Sequence, residues 1–221
     1  TVDYCVVKIP KWPFDKFESD NKLLGTRMMA TGETMAIGAN FEQALLKAVR
    51  SLEIGSFSLW HEPSEARGMA ELKERIIHPD DERIFDIAAL LRRKYSFERI
   101  AQVTGIDRFF IEKLRGIVEK EEMLTKMRLE DLDENCLREL KKRGFADKGI
   151  ADLMGVKEEE IFNLRKKYNI IPSYKLVDTC AAEFEAVSPY YYSTYDDFDE
   201  SVISDNKKVV VVGSGPIRIG Q

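Results

Sequence analysis

Apolar positions recur at helical spacing through most of this chain. The clearest run follows Asn40, a residue type favoured at helix N-caps, and it extends to Gly55, a residue type that commonly ends helices. The same spacing predicts helices throughout residues 64–168, including PDDERIFDIAALLRRK, and LDENCLRELKKRG ending at Gly144. Residues 1–9 and 33–38 predict short strands with a Pro-rich turn between them. The apolar stripe after Asn40 consists of Phe41, Ala44, Leu45, Ala48, Val49 and Leu52.

An internal repeat lies within the helical region. SFERIAQVTGIDRFFIEKLR (96–115) and ADKGIADLMGVKEEEIFNLR (146–165) align at an offset of 50 residues. Each copy predicts a short helix, a tight turn that needs glycine and a second helix, which places Gly105 and Gly155 at equivalent turns with positive φ. The sequence therefore predicts a mainly α fold, a compact helical domain with a helix-turn-helix repeat. The identical pairs are Ile100/Ile150, Ala101/Ala151, Gly105/Gly155, Ile111/Ile161, Leu114/Leu164 and Arg115/Arg165.

A helix-turn-helix pattern is also typical of DNA-binding proteins, whose second helix places its first residues against bases and phosphates. Here those positions hold Asp107 and Arg108 in the first copy, and Lys157 followed by three glutamates (158–160) in the second. Carboxylates at that end would repel phosphate. The pattern favours a packing motif, and a stand-alone helix-turn-helix adaptor or DNA-binding protein is the alternative.

The end of the chain has a different pattern. Residues 176–206 carry eight acidic and no basic side chains and contain four tyrosines. Stacking of a nucleic acid strand on those rings is opposed by this charge, so the segment reads as an extended acidic connector. Residues 207–221 predict a buried parallel strand of valines, followed by a turn at Gly213 and Gly215 like those that open nucleotide-binding α/β units. Arg218 stands where the dinucleotide fingerprint requires its third glycine.

Composition narrows the function classes. The chain is 44% hydrophobic and 33% charged, and its net charge of −5 comes from the connector, since residues 56–175 carry 24 basic and 24 acidic side chains. No broad basic face, signal peptide or membrane-length apolar run is present. Three widely spaced cysteines and two isolated histidines predict neither a disulfide framework nor a metal site, and they fit a reducing cytoplasm.

Several motifs occur together in a specific order: KIPKWPFDKF, GETMAIG, FEQALLKAVRSLE, YKLVDTCAAEFEA, YYYSTYD and VVVVGSGPIRIGQ. Together they resemble the large chains of the carbamoyl-phosphate synthetase family over nearly the whole sequence. That family has two homologous ATP-grasp halves joined by a helical oligomerisation domain. The resemblance implies that residues 1–55 end the first ATP-grasp half and 56–175 form the oligomerisation domain. Residues 176–206 would be its exit connector, and 207–221 the first strand and loop of the pre-ATP-grasp part of the second half, so that truncated α/β pieces flank the helices.

The resemblance also implies a parent activity, the ATP-dependent formation of carbamoyl phosphate for arginine and pyrimidine biosynthesis. It implies a glutaminase small chain as partner, ATP with Mg²⁺ or Mn²⁺ as cofactors, and K⁺. In the family the ATP and metal groups lie outside the part that this chain matches. We therefore expect no catalytic, cofactor-binding or metal-binding residue here, Glu33 included, and an inactive fragment that serves oligomerisation and linkage of the two halves.

Two adjacent phenylalanines are the candidate interface residues. Phe109 and Phe110 point about 100° apart on a helix, and Ile106, Ile111 and Leu114 already fill the predicted core stripe. One phenylalanine should therefore remain near the surface, either as an interface anchor or packed against the next helix. The sequence predicts a homo-oligomer that associates through residues 64–168, and it predicts that the many charge pairs of that region lie on its surface.

Overall fold

The computed structural model describes residues 3–12, 26, 32–180, 183–184 and 190–211, and over these residues the chain is mainly helical, as predicted. A single 3₁₀ turn, Leu129–Asp131, lies between α6 and α7. No helix in these ranges is long and apolar enough to span a membrane. The helices are α1 (Phe41–Ser51), α2 (Glu62–Ala66), α3 (Met69–Ile77), α4 (Arg83–Arg92), α5 (Phe97–Thr104), α6 (Arg108–Leu124), α7 (Glu134–Lys142), α8 (Asp147–Met154) and α9 (Glu158–Lys167). The strands are β1 (Cys5–Lys11), β2 (Gly32–Gly38), β3 (Ser173–Leu176) and β4 (Tyr191–Thr194).

Helix α1 begins where the sequence predicts. The Asn40 side chain accepts a hydrogen bond from the Gln43 amide at 2.8 Å, which satisfies one of the unpaired N–H groups of the first turn. The helix ends earlier than predicted: Leu52 is its C-cap, and Glu53 already has φ +54°. The prediction that α1 ends at Gly55 is therefore wrong, because the chain leaves the helix before that glycine. Gly55 adopts φ +78° in the following turn.

Strands β1 and β2 form an antiparallel pair against which α1 packs. Their register runs from Cys5 opposite Gly38 to Lys11 opposite Gly32. Residues alternate between the two faces of a strand, so Thr34 and Ala36 are buried beneath α1. Of the Pro-rich turn predicted at residues 9–17, residues 9–11 belong to β1 and residues 13–17 lie outside the described residues.

The repeat appears in the structure with its offset intact. Helices α5 and α8 are both eight residues long and begin 50 residues apart, as do α6 and α9. Gly105 and Gly155 are the C-caps of α5 and α8, with φ values of +70° and +68° in the left-handed region. The paired isoleucines are fully buried in both copies: Ile100, Ile111, Ile150 and Ile161.

A close approach of two backbones occurs after α7. That helix ends at Lys142, and Gly144 follows with φ +95°. A Cβ atom built on Gly144 would lie 2.6 Å from the Cα of Gln43 in α1. Since real Cβ contacts are not that short, only glycine lets this turn rest directly on α1. Gly144 therefore joins the helical repeat to the N-terminal sheet and helix.

The segment expected to be an extended connector contains secondary structure. Strands β3 and β4 pair antiparallel, with Ser173 opposite Thr194, so the predicted boundary at residues 175/176 falls inside β3. Tyr192 is buried, and its ring lies 5.9 Å from that of Tyr4 near β1. Tyr192 packs because the β3–β4 pair returns it to the body of the molecule, which the acidic composition did not indicate, whereas Tyr190 and Tyr191 remain exposed. Residues 181–182 and 185–189 of this segment lie outside the described residues.

The predicted valine strand is not formed in residues 207–211. These residues have no strand conformation, and the side chains of Val209, Val210 and Val211 are 85–88% exposed. A buried parallel strand needs hydrogen-bonding neighbours on both sides, and no described strand lies beside this one. Gly213 and Gly215 lie outside the described residues.

Candidate association surface

The first turn of α6 positions the candidate interface residues. Asp107 caps the helix by accepting a hydrogen bond from the Phe109 amide at 2.8 Å. One face of α6 is buried in the core, so the side chains that flank this face reach the surface. The buried residues of the helix are Ile111, Leu114, Ile117, Val118, Glu121 and Leu124.

Three phenylalanine rings, Phe41, Phe109 and Phe110, form a cluster that we call the aromatic triad. The Phe41 ring centroid, at the start of α1, lies 6.3 Å from that of Phe109 and 5.4 Å from that of Phe110. The α6 rings meet edge to face at 5.3 Å, a favourable arrangement for aromatic pairs. Phe109 is 50% exposed and Phe110 43%. The expectation that only one of them reaches the surface is wrong, because α1 offers a single ring that cannot cover both.

Charged side chains border the aromatic triad. The Lys113 ammonium lies 5.5 Å from the centroid of the Phe109 ring and forms an ion pair with Glu42 at 3.1 Å. Arg143 approaches the same carboxylate at 4.0 Å. The patch thus combines half-exposed aromatic rings with a charged rim of both signs, which is the composition of many protein–protein interfaces.

The second repeat lacks this patch. At the offset of 50 residues, Phe109 and Phe110 correspond to Glu159 and Glu160 at the start of α9, and both glutamates are exposed. The two repeats therefore share a core but present opposite surfaces at the same position, one aromatic and one acidic. The acidic start of α9 also places carboxylates where a DNA-reading helix would meet phosphate.

A buried ion network joins α3 and α4 to the turn before α3. Asp86, which is fully buried, accepts hydrogen bonds from Arg67 and Arg75 at 2.8 Å each. Glu82 accepts a hydrogen bond from each arginine, and Asp80 pairs with Arg75. Asp86 is fully buried and both arginines are largely buried, so the expectation that charged pairs of the region lie on the surface is wrong for this network.

A second buried network ties α6 to α4 and to the loop before α2. Glu121 is fully buried, accepts a hydrogen bond from the Leu59 amide at 2.7 Å and pairs with Arg92 at 2.6 Å. Arg92 also pairs with Glu65, and its guanidinium lies 4.8 Å from the Trp60 ring centroid. Burial raises the pKa of Glu121 despite the opposing effect of Arg92. No local spacing in the sequence indicates these contacts.

A third network closes the second repeat. Asp147 at the start of α8 accepts from Lys141 at 2.6 Å and from Arg165 at 2.9 Å. Burial lowers the pKa of Lys141 to about 8, although Asp147 acts in the opposite direction. Burial also acts to raise the pKa of Asp147, but the charge and hydrogen bond of Lys141, with those of Arg165, lower it overall. The three networks therefore fix the positions of the helices.

Within the described ranges, no group of three or more His, Cys, Asp and Glu side chains is arranged to hold a metal ion. Cys5, Cys136 and Cys180 are all free thiols. The aromatic triad is an exposed cluster whose composition, half-exposed rings beside charges of both signs, is that of many protein–protein interfaces.

Residues 33–169 match the family model described as the carbamoyl-phosphate synthetase large chain, oligomerisation domain. This range begins before the predicted domain start at residue 56 and includes β2 and α1, so the aromatic triad lies wholly within it. The match gives no support to the DNA-binding alternative.

Over its whole length, this chain is similar to part of the carbamoyl phosphate synthase large chains of clostridia. The chain is 60% identical to that of Clostridium botulinum (strain Loch Maree / Type A3), 59% to that of Clostridium perfringens (strain SM101 / Type A) and 58% to that of Clostridium beijerinckii. Each alignment covers all 221 residues of this chain and 21% of the relative. The chain thus spans about a fifth of the length of the relatives that it matches.

Proposed function

This chain belongs to the carbamoyl-phosphate synthetase large-chain family, in which it carries the oligomerisation domain, and from that premise we propose that it self-associates through the aromatic triad. The observation that carries this proposal is the exposure of Phe109 and Phe110 beside Phe41. Half-exposed aromatic rings at the centre of a charged rim are typical interface anchors. A two-fold axis near the start of α6 would bury the rings of both copies.

The proposal extends to the parent protein. The parent protein would form carbamoyl phosphate in the cytoplasm for arginine and pyrimidine biosynthesis. It would use ATP with Mg²⁺ or Mn²⁺, and K⁺, and its partner would be a glutaminase small chain. Residues 1–55 would end its first ATP-grasp half, 56–175 would form the oligomerisation domain, 176–206 the connector, and 207–221 the start of the second half. The name of the matched relatives and the family resemblance support this assignment. The chain alone would bind no nucleotide, and bicarbonate-dependent ATP hydrolysis by it would contradict this part.

The test of self-association is sedimentation of the chain over a concentration series, comparing it with Phe109→Asp. Half of the surface area of a phenylalanine side chain is roughly 100 Å². Its burial contributes up to about 2.5 kcal/mol at 25 cal/mol per Å², or about 60-fold in the dissociation constant for each copy of the ring. Phe109→Asp should therefore shift the chain to monomer, while far-ultraviolet circular dichroism shows unchanged helicity.

Phe162→Asp is the matched control, because Phe162 on α9 is 40% exposed but lies outside the triad. It should leave the oligomeric state unchanged. If the unaltered chain is a monomer at high micromolar concentration, it does not associate by itself. If both substitutions dissociate it equally, the triad is not the specific contact.

A further inference from the structure

A small cavity with an excess of positive charge lies between α1 and the turn after α7. Its volume is about 260 Å³, and α1, the turn after α7 and the segment around β4 enclose it. Three cations line it: Lys47 and Arg50 from α1, and Lys141 from α7. Tyr195, just after β4, and Glu158, at the start of α9, complete the wall and the rim.

Backbone carbonyls hold the three cations in place. Lys47 Nζ donates to the Ile37 carbonyl at 2.8 Å and to the Ser193 carbonyl, while Arg50 Nη1 donates to the Gly144 carbonyl at 2.7 Å. Lys141 Nζ donates to the Phe145 carbonyl at 2.7 Å as well as to Asp147. Carbonyl groups orient an ammonium or guanidinium group, but they do not neutralise its charge. Each ammonium has three N–H donors and uses two of them here, so a donor remains for a further acceptor.

The carboxylates of the cavity do not balance its cations. Asp147 is shared by Lys141 and Arg165, and Glu158 is exposed at the rim. Three cations therefore line the cavity against two carboxylates, one of which Arg165 shares from outside it, so positive charge is in excess. Among the described residues, neither Lys47 nor Arg50 forms an ion pair, and burial lowers the pKa of both groups, that of Lys47 to about 8. Charges removed from water without a counter-charge destabilise the fold, so a bound anion would stabilise it.

We propose that this cavity binds one small oxyanion group, a phosphate or a carboxylate. Such a group presents several acceptor oxygens on one centre, which matches the ammonium and guanidinium donors converging from α1 and α7. The volume lies below that of typical drug-sized ligand sites and limits the occupant to a single group of this size. The group is either a free ion or a carboxylate side chain that the rest of a complete large chain supplies.

The experiment is calorimetric titration of the 221-residue chain with inorganic phosphate, and separately with acetate, at constant ionic strength. Saturable binding is expected. Lys47→Met should weaken it tenfold or more, since a charge-assisted hydrogen bond is lost. Because Lys47 also supports two backbone carbonyls, a second variant avoids any effect on folding: Glu158→Gln removes the carboxylate at the rim and should strengthen binding several-fold.

Glu159→Gln is the matched control, since it removes the same charge one residue away and outside the cavity. No saturable binding of either anion to the chain, or equal effects of the two glutamate variants, would overturn the proposal. The same titration on a complete large chain containing this sequence identifies the source. Binding to both proteins supports a free oxyanion, whereas binding to the 221-residue chain alone supports a carboxylate supplied by the rest of the protein.

Discussion

Replacing Gly144 by alanine should destabilise the chain much more than replacing Gly105, although both glycines have positive φ. At Gly105 a new Cβ meets no atom within 4 Å, so the variant suffers only the cost of the left-handed conformation, about 1–2 kcal/mol. At Gly144 the same atom would lie 2.6 Å from Gln43 Cα and 3.1 Å from its carbonyl oxygen. Backbone cannot move aside as the end of a flexible side chain can, so overpacking adds about 1–3 kcal/mol.

The difference is measurable by thermal and urea unfolding monitored by circular dichroism. For a chain of this length, 1 kcal/mol corresponds to about 2–4 °C in Tm. Gly105→Ala should thus lower Tm by about 2–8 °C, and Gly144→Ala, with a total of about 2–5 kcal/mol, by about 4–20 °C. Gly155→Ala is a second control, because its Cβ also meets open space at nearly the same φ. Equal losses in all three variants would refute the close contact between the α7 turn and α1.

Two further perturbations test the buried charges. Asp86→Ala leaves Arg67 and Arg75 without their shared carboxylate and should lower the free energy of unfolding by about 3–5 kcal/mol. The control Glu134→Ala removes an exposed ion pair with Arg138 and should lower it by no more than about 1 kcal/mol. Similar losses of both variants in urea unfolding would contradict the role of burial. The pKa of Lys141 is 10.5 in the unfolded chain and about 8 when folded, so its contribution to stability is present above pH 10.5 and is lost as the pH falls through about 8. Relative to Lys141→Met, the unaltered chain should therefore gain about 2–4 kcal/mol between pH 8 and 10.5, and parallel stability curves would count against this shift.

Local signals in the sequence predicted much of the fold. The cap at Asn40 and the turns at Gly105 and Gly155 depend on a few neighbouring residues, whose chemistry limits the backbone to one conformation. The repeat offset added strong evidence, because two copies of a pattern must satisfy the same packing. For these reasons the helical region and its internal symmetry were readable without coordinates.

Contacts between different helices could not be predicted from the sequence in the same way. The pairing of Asp86 with Arg67 and Arg75 joins helices whose relative placement no local spacing specifies. The exposure of both Phe109 and Phe110 depends on how α1 packs against α6, because Phe41 of α1 contacts both rings. This packing is a tertiary property that local sequence does not specify. The valine run of residues 207–211 shows the reverse case, a strong strand signal without neighbouring strands to pair with it.

The difference between the two repeats limits how copies of this domain can assemble. Had α9 kept phenylalanines where Glu159 and Glu160 stand, each molecule would present two equivalent aromatic faces pointing in different directions. Contacts between such faces need not close on themselves, and open contacts of that kind build fibres. Because the second repeat carries carboxylates, a further copy of the domain that approached it would meet charged, solvated groups. The two glutamates would thus confine association to the face of the first repeat and favour a closed assembly over a fibre.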